Sequence, residues 1–262
     1  MQLVAAARMR KAQEDILSAR PYAEKLNSIL RRLSGSTDTS KHPLLVERDV
    51  ERVSVCVIAS DRGLCGGFNA NVFRQAATAI QDLGDVDVDV TVVGRKTRNY
   101  FGNRDYQVIR EHIDVFRDLQ FGNASTIAQE LASQFLNGNS DRVLLVYSEF
   151  RSVANQVPVV RQLLPIVPEE ATEEETNTEF LFEPDPNRLL ETLIPRQVNF
   201  QVWRALLESN AGEQAARMQA MDNATKNAGD LITELTREVN KVRQTAITLE
   251  LMDIIGGAEA VS

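Results

Sequence analysis

Near the start of the chain, Ala5, Met9, Ala12, Ile16, Ala19, Ala23, Leu26, Leu30 and Leu33 recur at alternating gaps of four and three. That spacing draws the apolar seam of a heptad repeat along one side of a helix. Arg8, Arg10, Lys11, Glu14 and Asp15 fall between the seam positions. Pro21 should bend or weaken such a helix, but the stripe keeps its phase across it. The pattern therefore predicts one N-terminal helix, residues 1–34, ending at Ser34-Gly35-Ser36.

The other end of the chain repeats the pattern at greater length. Ala211, Met218, Met221, Thr225, Ala228, Ile232, Leu235, Val239, Val242, Ala246 and Leu249 hold the same register, with Gln214 as a polar member. Pro195 is expected to precede this helix and Gly256-Gly257 to end it. At about 1.5 Å per residue, residues 196–255 would make a rod roughly 90 Å long. An apolar seam of about two residues in seven is too narrow to bury a helix in a globule. The two stripes are therefore expected to pair with each other as an antiparallel coiled coil. The shorter helix spans only about 50 Å. Residues 242–255 are then expected to lack a partner, leaving Ala246, Leu249, Met252 and Ile255 wet.

Between the stripes the period changes. Residues 52–59 form an apolar run that reads as a buried strand, and residues 71–83 have helical spacing. Residues 85–94 (DVDVDVTVVG) alternate Asp with Val, the pattern of a strand with one wet face. A short helix is expected over 95–101 and a strand over 106–113. A helix over 125–136 follows, with Ser125 as N-cap. The clearest strand is 141–150, and 157–167 is extended. An acidic loop covers 169–178, and a short strand 180–183. This alternation predicts an α/β domain over 35–194: a Rossmann-like, open, mostly parallel sheet with helices on both faces. The C-terminal arm is then residues 195–262.

Composition narrows the function classes. The chain carries 29 basic and 37 acidic residues, a net charge of −8, against a general nucleic-acid binder. Cys56 and Cys65 make neither a disulfide framework nor a CxxC site. His42 and His112 lie far apart and suggest no metal centre. No apolar run approaches the roughly 20 residues of a membrane span, and the N-terminus lacks the order of a secretory signal.

Residues 60–71, SDRGLCGGFNAN, occupy the strand-to-helix position where phosphates are often cradled. The spacing departs from G-x-G-x-x-G, and Gly67 is followed by Phe68-Asn69 rather than Lys-Ser/Thr. Cys65 has no helper in sequence that would make it a nucleophile. Gly63, Gly66 and Gly67 are expected to serve a tight turn. A nucleotide-binding Rossmann-type enzyme with a coiled-coil arm is the alternative that this turn keeps open; a scaffold with a coiled-coil arm is another.

The same stretch closely resembles the Ser/Thr-Asp-Arg-Gly-Leu-Cys-Gly turn of the gamma subunit of rotary (F-type) ATP synthases. Ile247-Thr248, Glu250, Asp253, Gly257-Ala258 and Ala260 match that family's terminal signature. MQLVAAARMRKAQ, ARPYA, EPDP and SNAGEQAARMQAM agree as well, so the resemblance runs nearly end to end. It implies a non-catalytic central-stalk rotor subunit without cofactor. Such a subunit turns inside a ring of three alpha and three beta subunits and carries the epsilon subunit. Its base rests on the membrane c-ring, at the cytoplasmic face of a bacterial plasma membrane. The resemblance places Arg62 and Cys65 near an acidic lever of beta, and Arg217, Arg243, Gln244, Thr248 and Glu250 against the ring. Residues 1–33 hold seven basic and three acidic side chains, which suits an acidic lever. The family usually has about twenty residues before the segment matching Met1, so an earlier start is expected. The inserted redox loop of the chloroplast form is not found here.

Overall fold

A computed structural model describes residues 2–36, 42–167 and 185–259. β1 (Arg52–Ile58), β2 (Asp87–Val93), β3 (Gln107–His112), β4 (Arg142–Ser152) and β5 (Asn155–Leu164) form a sheet ordered β3-β2-β1-β4-β5. The first four run parallel, and β5 returns antiparallel to β4. The helices are α1 (Gln2–Ser36), α2 (Phe68–Asp82), α3 (Arg95–Phe101), α4 (Phe121–Leu136) and α5 (Pro186–Glu259).

Strand side chains alternate between two cores, as a period of two requires. Val53, Val55, Val57, Val90, Val92, Leu144 and Val146 meet Phe68, Val72 and Phe73 of α2 and Phe101 of α3. Cys56, Ile58, Val143, Leu145 and Tyr147 face the other way, against α1, α4 and α5. Helices thus cover both faces, as the alternation of elements predicts.

Local chemistry moved several boundaries. Helix α4 starts at Phe121, so Ser125 lies inside it and is not its N-cap. The Gln120 N–H donates to Asn123 Oδ1 at 2.9 Å, which begins the helix a turn early. Helix α2 starts at Phe68, whose buried ring joins the core ahead of the expected spacing. In β2 the wet face is confined to Asp87 and Asp89, because Thr91 and Val93 are buried. The expected loop over 169–178 and strand over 180–183 lie outside the described residues.

The chain divides into two units, Met1–Gln219 and Ala220–Ser262. In the first, α1 packs antiparallel on α5: Gln197 Nε2 donates to Asn27 Oδ1 at 2.7 Å, and the Tyr22 and Phe200 rings lie 5.1 Å apart. Ala5, Ala12, Leu26, Leu30 and Leu33 of the seam are buried. Pro21 lies inside α1, and α1 continues through it. Pro195 likewise lies inside α5, which begins at Pro186, so it does not precede the helix as expected. The buried Leu190, Ile194 and Val198 explain this. Burial of such side chains at about 1.5–3 kcal/mol each outweighs a proline cost of about 3 kcal/mol.

The second unit is the remainder of α5 by itself. Gly256 and Gly257 do not end it; neither has a positive φ, and the helix runs to Glu259. Residues 223–258 are all exposed. The bare stretch expected over 242–255 therefore begins near residue 223. The reason is register: α1 spends its seam on α5 around Gln197 and Phe200.

Candidate partner-contact site

The glycine turn connects β1 to α2. It is built by side chains as much as by glycines. The Ser60 N–H donates to Asn69 Oδ1 at 3.1 Å, and Asn69 Nδ2 donates to Cys65 Sγ at 3.2 Å. Phe68 N–H closes the turn on the Cys65 carbonyl at 3.2 Å. The left-handed positions are Leu64 (φ 63°) and Gly66 (φ 56°). Gly63 and Gly67 do not adopt positive φ, and a Cβ on either would meet nothing closer than 3.5 Å. Of the three glycines expected to serve the backbone, only Gly66 has that conformational reason.

Two anchors hold the turn. On one side Asp61 accepts from Arg95 N–H and Asp114 N–H, both at 2.9 Å, and from Phe116 N–H at 3.3 Å. On the other, Arg217 of α5 reaches it: Nη2 donates to the Gly63 carbonyl at 3.2 Å and to Glu213 Oε1 at 2.5 Å. Arg217 Nη1 also donates to Gln214 Oε1 at 3.3 Å. Glu213 and Gln214 are buried. Burial pushes the Glu213 carboxyl up, against the opposing pull of Arg217.

This geometry does not suit phosphate. The N–H that opens α3 is already taken by the Asp61 carboxylate, and a second carboxylate, Glu213, lies behind the turn. Burial, with Glu213 beside it, also pushes the Cys65 thiol up, so it is not an activated nucleophile. Among the described residues, no group of three or more His, Cys, Asp and Glu could hold a metal ion.

The seven residues assigned by resemblance fall into two places. Arg62, Cys65 and Arg217 come together in the first unit. Arg62 is exposed, Cys65 is buried at 2% exposure, and the Arg217 side chain is 15% exposed. Arg243, Gln244, Thr248 and Glu250 are exposed on the second unit. Thr248 Oγ1 donates to the Gln244 carbonyl at 2.9 Å, so its hydroxyl is engaged by its own helix. Sequence reading missed Leu64, 66% exposed and held at positive φ. A bulky residue rarely adopts that conformation, and Leu-Cys-Gly carries no local signal of which residue will. It also missed Asp61, whose partners are distant in the chain, and Glu213, which pairs with Arg217 four residues on.

A family model described as ATP synthase matches residues 1–261. A curated relative from Chlorobaculum parvum, "ATP synthase gamma chain", is 46% identical over 267 residues, covering 100% of this chain and 91% of its own. The protein of the same name from Pelotomaculum thermopropionicum is 43% identical, covering 100% and 92%. Among solved structures, the central stalk/c-ring of Tetrahymena thermophila mitochondrial ATP synthase aligns with a TM-score of 0.65 at 22% identity. That match covers 86% of this chain and 97% of the other. A chain of the Euglena gracilis mitochondrial enzyme aligns at 0.60 and 19% identity, covering 98% and 95%. These two share the fold.

Proposed function

The chain belongs to the ATP synthase gamma chain family, and on that premise we propose how its two units divide the work of a central-stalk rotor. The observation that carries this reading is the second unit: a helix whose apolar residues from 223 to 258 all face water. Ile232, Val239, Val242 and Leu249 are each 60–65% exposed. Such a surface marks an interaction site. A ring of alpha and beta subunits is the partner that the family offers. Arg243, Gln244 and Glu250 bring charged and amide groups to that contact, and Thr248 brings its methyl.

A rotor performs no chemistry of its own in this account. It biases each catalytic site only through contacts that differ between that site's states. In the first unit the exposed Arg62 and Leu64 form a knob on the glycine turn, suited to an acidic lever of beta with an apolar residue beside it. Cys65 supports that knob from beneath. The same unit supplies the base for the epsilon subunit and the membrane c-ring. No helix among the described residues is long and apolar enough to cross a membrane. We place the protein peripherally, on the cytoplasmic face of a bacterial plasma membrane, as part of the complex.

Reconstitution with alpha and beta tests this. Arg243→Leu and Gln244→Leu should leave the isolated chain's Tm unchanged and lower ATPase turnover of the complex by about ten-fold, the loss of roughly one charge-assisted contact. Wild-type assembly and turnover in both variants would refute the ring contact.

A further inference from the structure

The glycine turn contains a conformational problem that its own residues do not solve. Leu64 sits at φ 63° and is 66% exposed. No core packing compensates for that backbone, and a leucine left alone returns to negative φ. Inside the turn, the Ser60 hydroxyl donates to the Arg62 carbonyl at 2.5 Å, whereas the Gly63 carbonyl is held from outside it.

The Gly63 carbonyl belongs to the same rigid peptide plane as the Leu64 N–H. Holding that oxygen therefore holds one side of the Leu64 φ rotation. Released, the plane can flip through coupled rotation of Gly63 ψ and Leu64 φ. The backbone at Gly63 is loosely surrounded: a Cβ there would meet only the Lys96 side chain, at 3.7 Å. The group on that oxygen is Arg217 Nη2, which also binds Glu213 Oε1, while Nη1 binds Gln214 Oε1. Both acceptors are on α5 and buried. The guanidinium is thus fixed to the helix by two groups before it reaches the turn. A planar fork makes all three contacts at once, and a lysine ammonium on a flexible stem does not reproduce them.

We infer that Arg217 is a positioning residue: clamped by Glu213 and Gln214, it grips the Gly63 carbonyl and keeps Arg62 and Leu64 in their outward pose. The clamp makes the turn and α5 one body, so that displacement of the helix at residue 217 carries the knob with it. This deepens the docking role proposed above for the knob and rests on it. It also moves Arg217 from a ring contact to an internal strut.

The two cysteines provide the test, because both are buried and only Cys65 lies in the turn. Arg217→Gln and Arg217→Lys are made in the full chain, and maleimide labelling of each cysteine is timed at one pH. If the clamp holds the turn shut, both variants label Cys65 about five-fold or more faster than wild type, as local opening requires. Cys56 stays unreactive and reports an intact core. The sign is diagnostic. The Arg217 charge favours the Cys65 thiolate, so loss of charge alone would slow labelling. Unchanged or slower labelling in both variants overturns the clamp. If Cys56 also reacts in the glutamine variant, that variant has lost its fold and the charge-retaining lysine variant decides alone.

A second arm reads function in the complex with alpha and beta. Arg217→Lys should lower ATPase turnover about as far as Leu64→Asp does. Wild-type turnover in Arg217→Lys, with Leu64→Asp impaired, overturns the positioning role. Wild-type turnover in Leu64→Asp removes the docking reading, while the labelling result still decides the clamp.

Discussion

Helix α5 is one continuous element with two unlike halves. Up to residue 219, Leu190, Ile194, Val198, Val202, Leu206 and Leu207 are buried at 3% exposure or less. From residue 223 to 258 no residue is buried, although Ile232, Leu235, Val239 and Val242 keep the same seam spacing. The backbone is helical in both. The difference lies in what the stripe meets. An apolar seam states that a helix has a partner; it does not state whether that partner is in the same chain. The first half is stabilised enough to absorb Pro195. The second relies on helix propensity alone, which is marginal in water.

The widest separation between the halves should come from truncating a seam leucine in each. Leu206→Ala should lower the unfolding free energy by about 2–5 kcal/mol, the range for a fully buried leucine. Leu235→Ala should change it by less than about 0.5 kcal/mol in the isolated chain. Urea denaturation measures both, and equal losses would show that residue 235 has an intrachain partner.

Hydrogen exchange sharpens the same contrast along the whole helix. In the isolated chain, amides of 223–255 should exchange about two orders of magnitude faster than those of 198–215, because only the latter open with the core. In the reconstituted complex the gap should close. Uniform protection in isolation would break the comparison.

A smaller effect concerns a charge inside the packed half. Glu208 is buried, with Arg204 Nε at 2.7 Å from its Oε1, and burial raises its carboxyl despite that pair. Its folded-state value lies above the unfolded one, so the fold binds the proton more tightly. Its contribution is then largest at low pH and falls as pH rises from the ordinary carboxylate range toward neutrality. Arg204 is 55% exposed, so leaving it unpaired costs little. Glu208→Gln should therefore raise Tm at pH 8 by about 1–3 °C, a fraction of what 1 kcal/mol produces in a domain of this size. The gain should vanish near pH 4. A gain that grows toward acid would reverse the sign of this argument.

Much of the fold was legible because it is periodic. The N-terminal seam, the strands at 52–59 and 141–150 and the two-faced sheet all follow from local spacing, and Ala12 and Leu33 are buried as their positions predict. What failed was punctuation. Pro195, Ser125 and Gly256-Gly257 are boundary signals by propensity. At Pro195 buried neighbours override the signal, at Ser125 the side chain of Asn123 does, and the two glycines remain helical. The candidate site was half legible: the turn stands out as a string of letters. Its strut does not, because Arg217 and the Gly63 carbonyl are 154 positions apart and nothing near either names the other. Register was unreadable for the same reason, so the onset of the bare stretch fell at 223 rather than 242.

The packing of α1 on α5 also sets a timetable. Leu26, Leu30 and Leu33 leave the ribosome early, yet part of the core they join, Leu190 to Leu206, is synthesised last. At about 5–20 residues per second, the roughly 170 residues between them take on the order of 10–30 s. Throughout that interval the first helix offers its seam to any passing apolar surface. The N-terminal segment therefore waits longest for its partner helix, and the fold closes only when its last third has arrived.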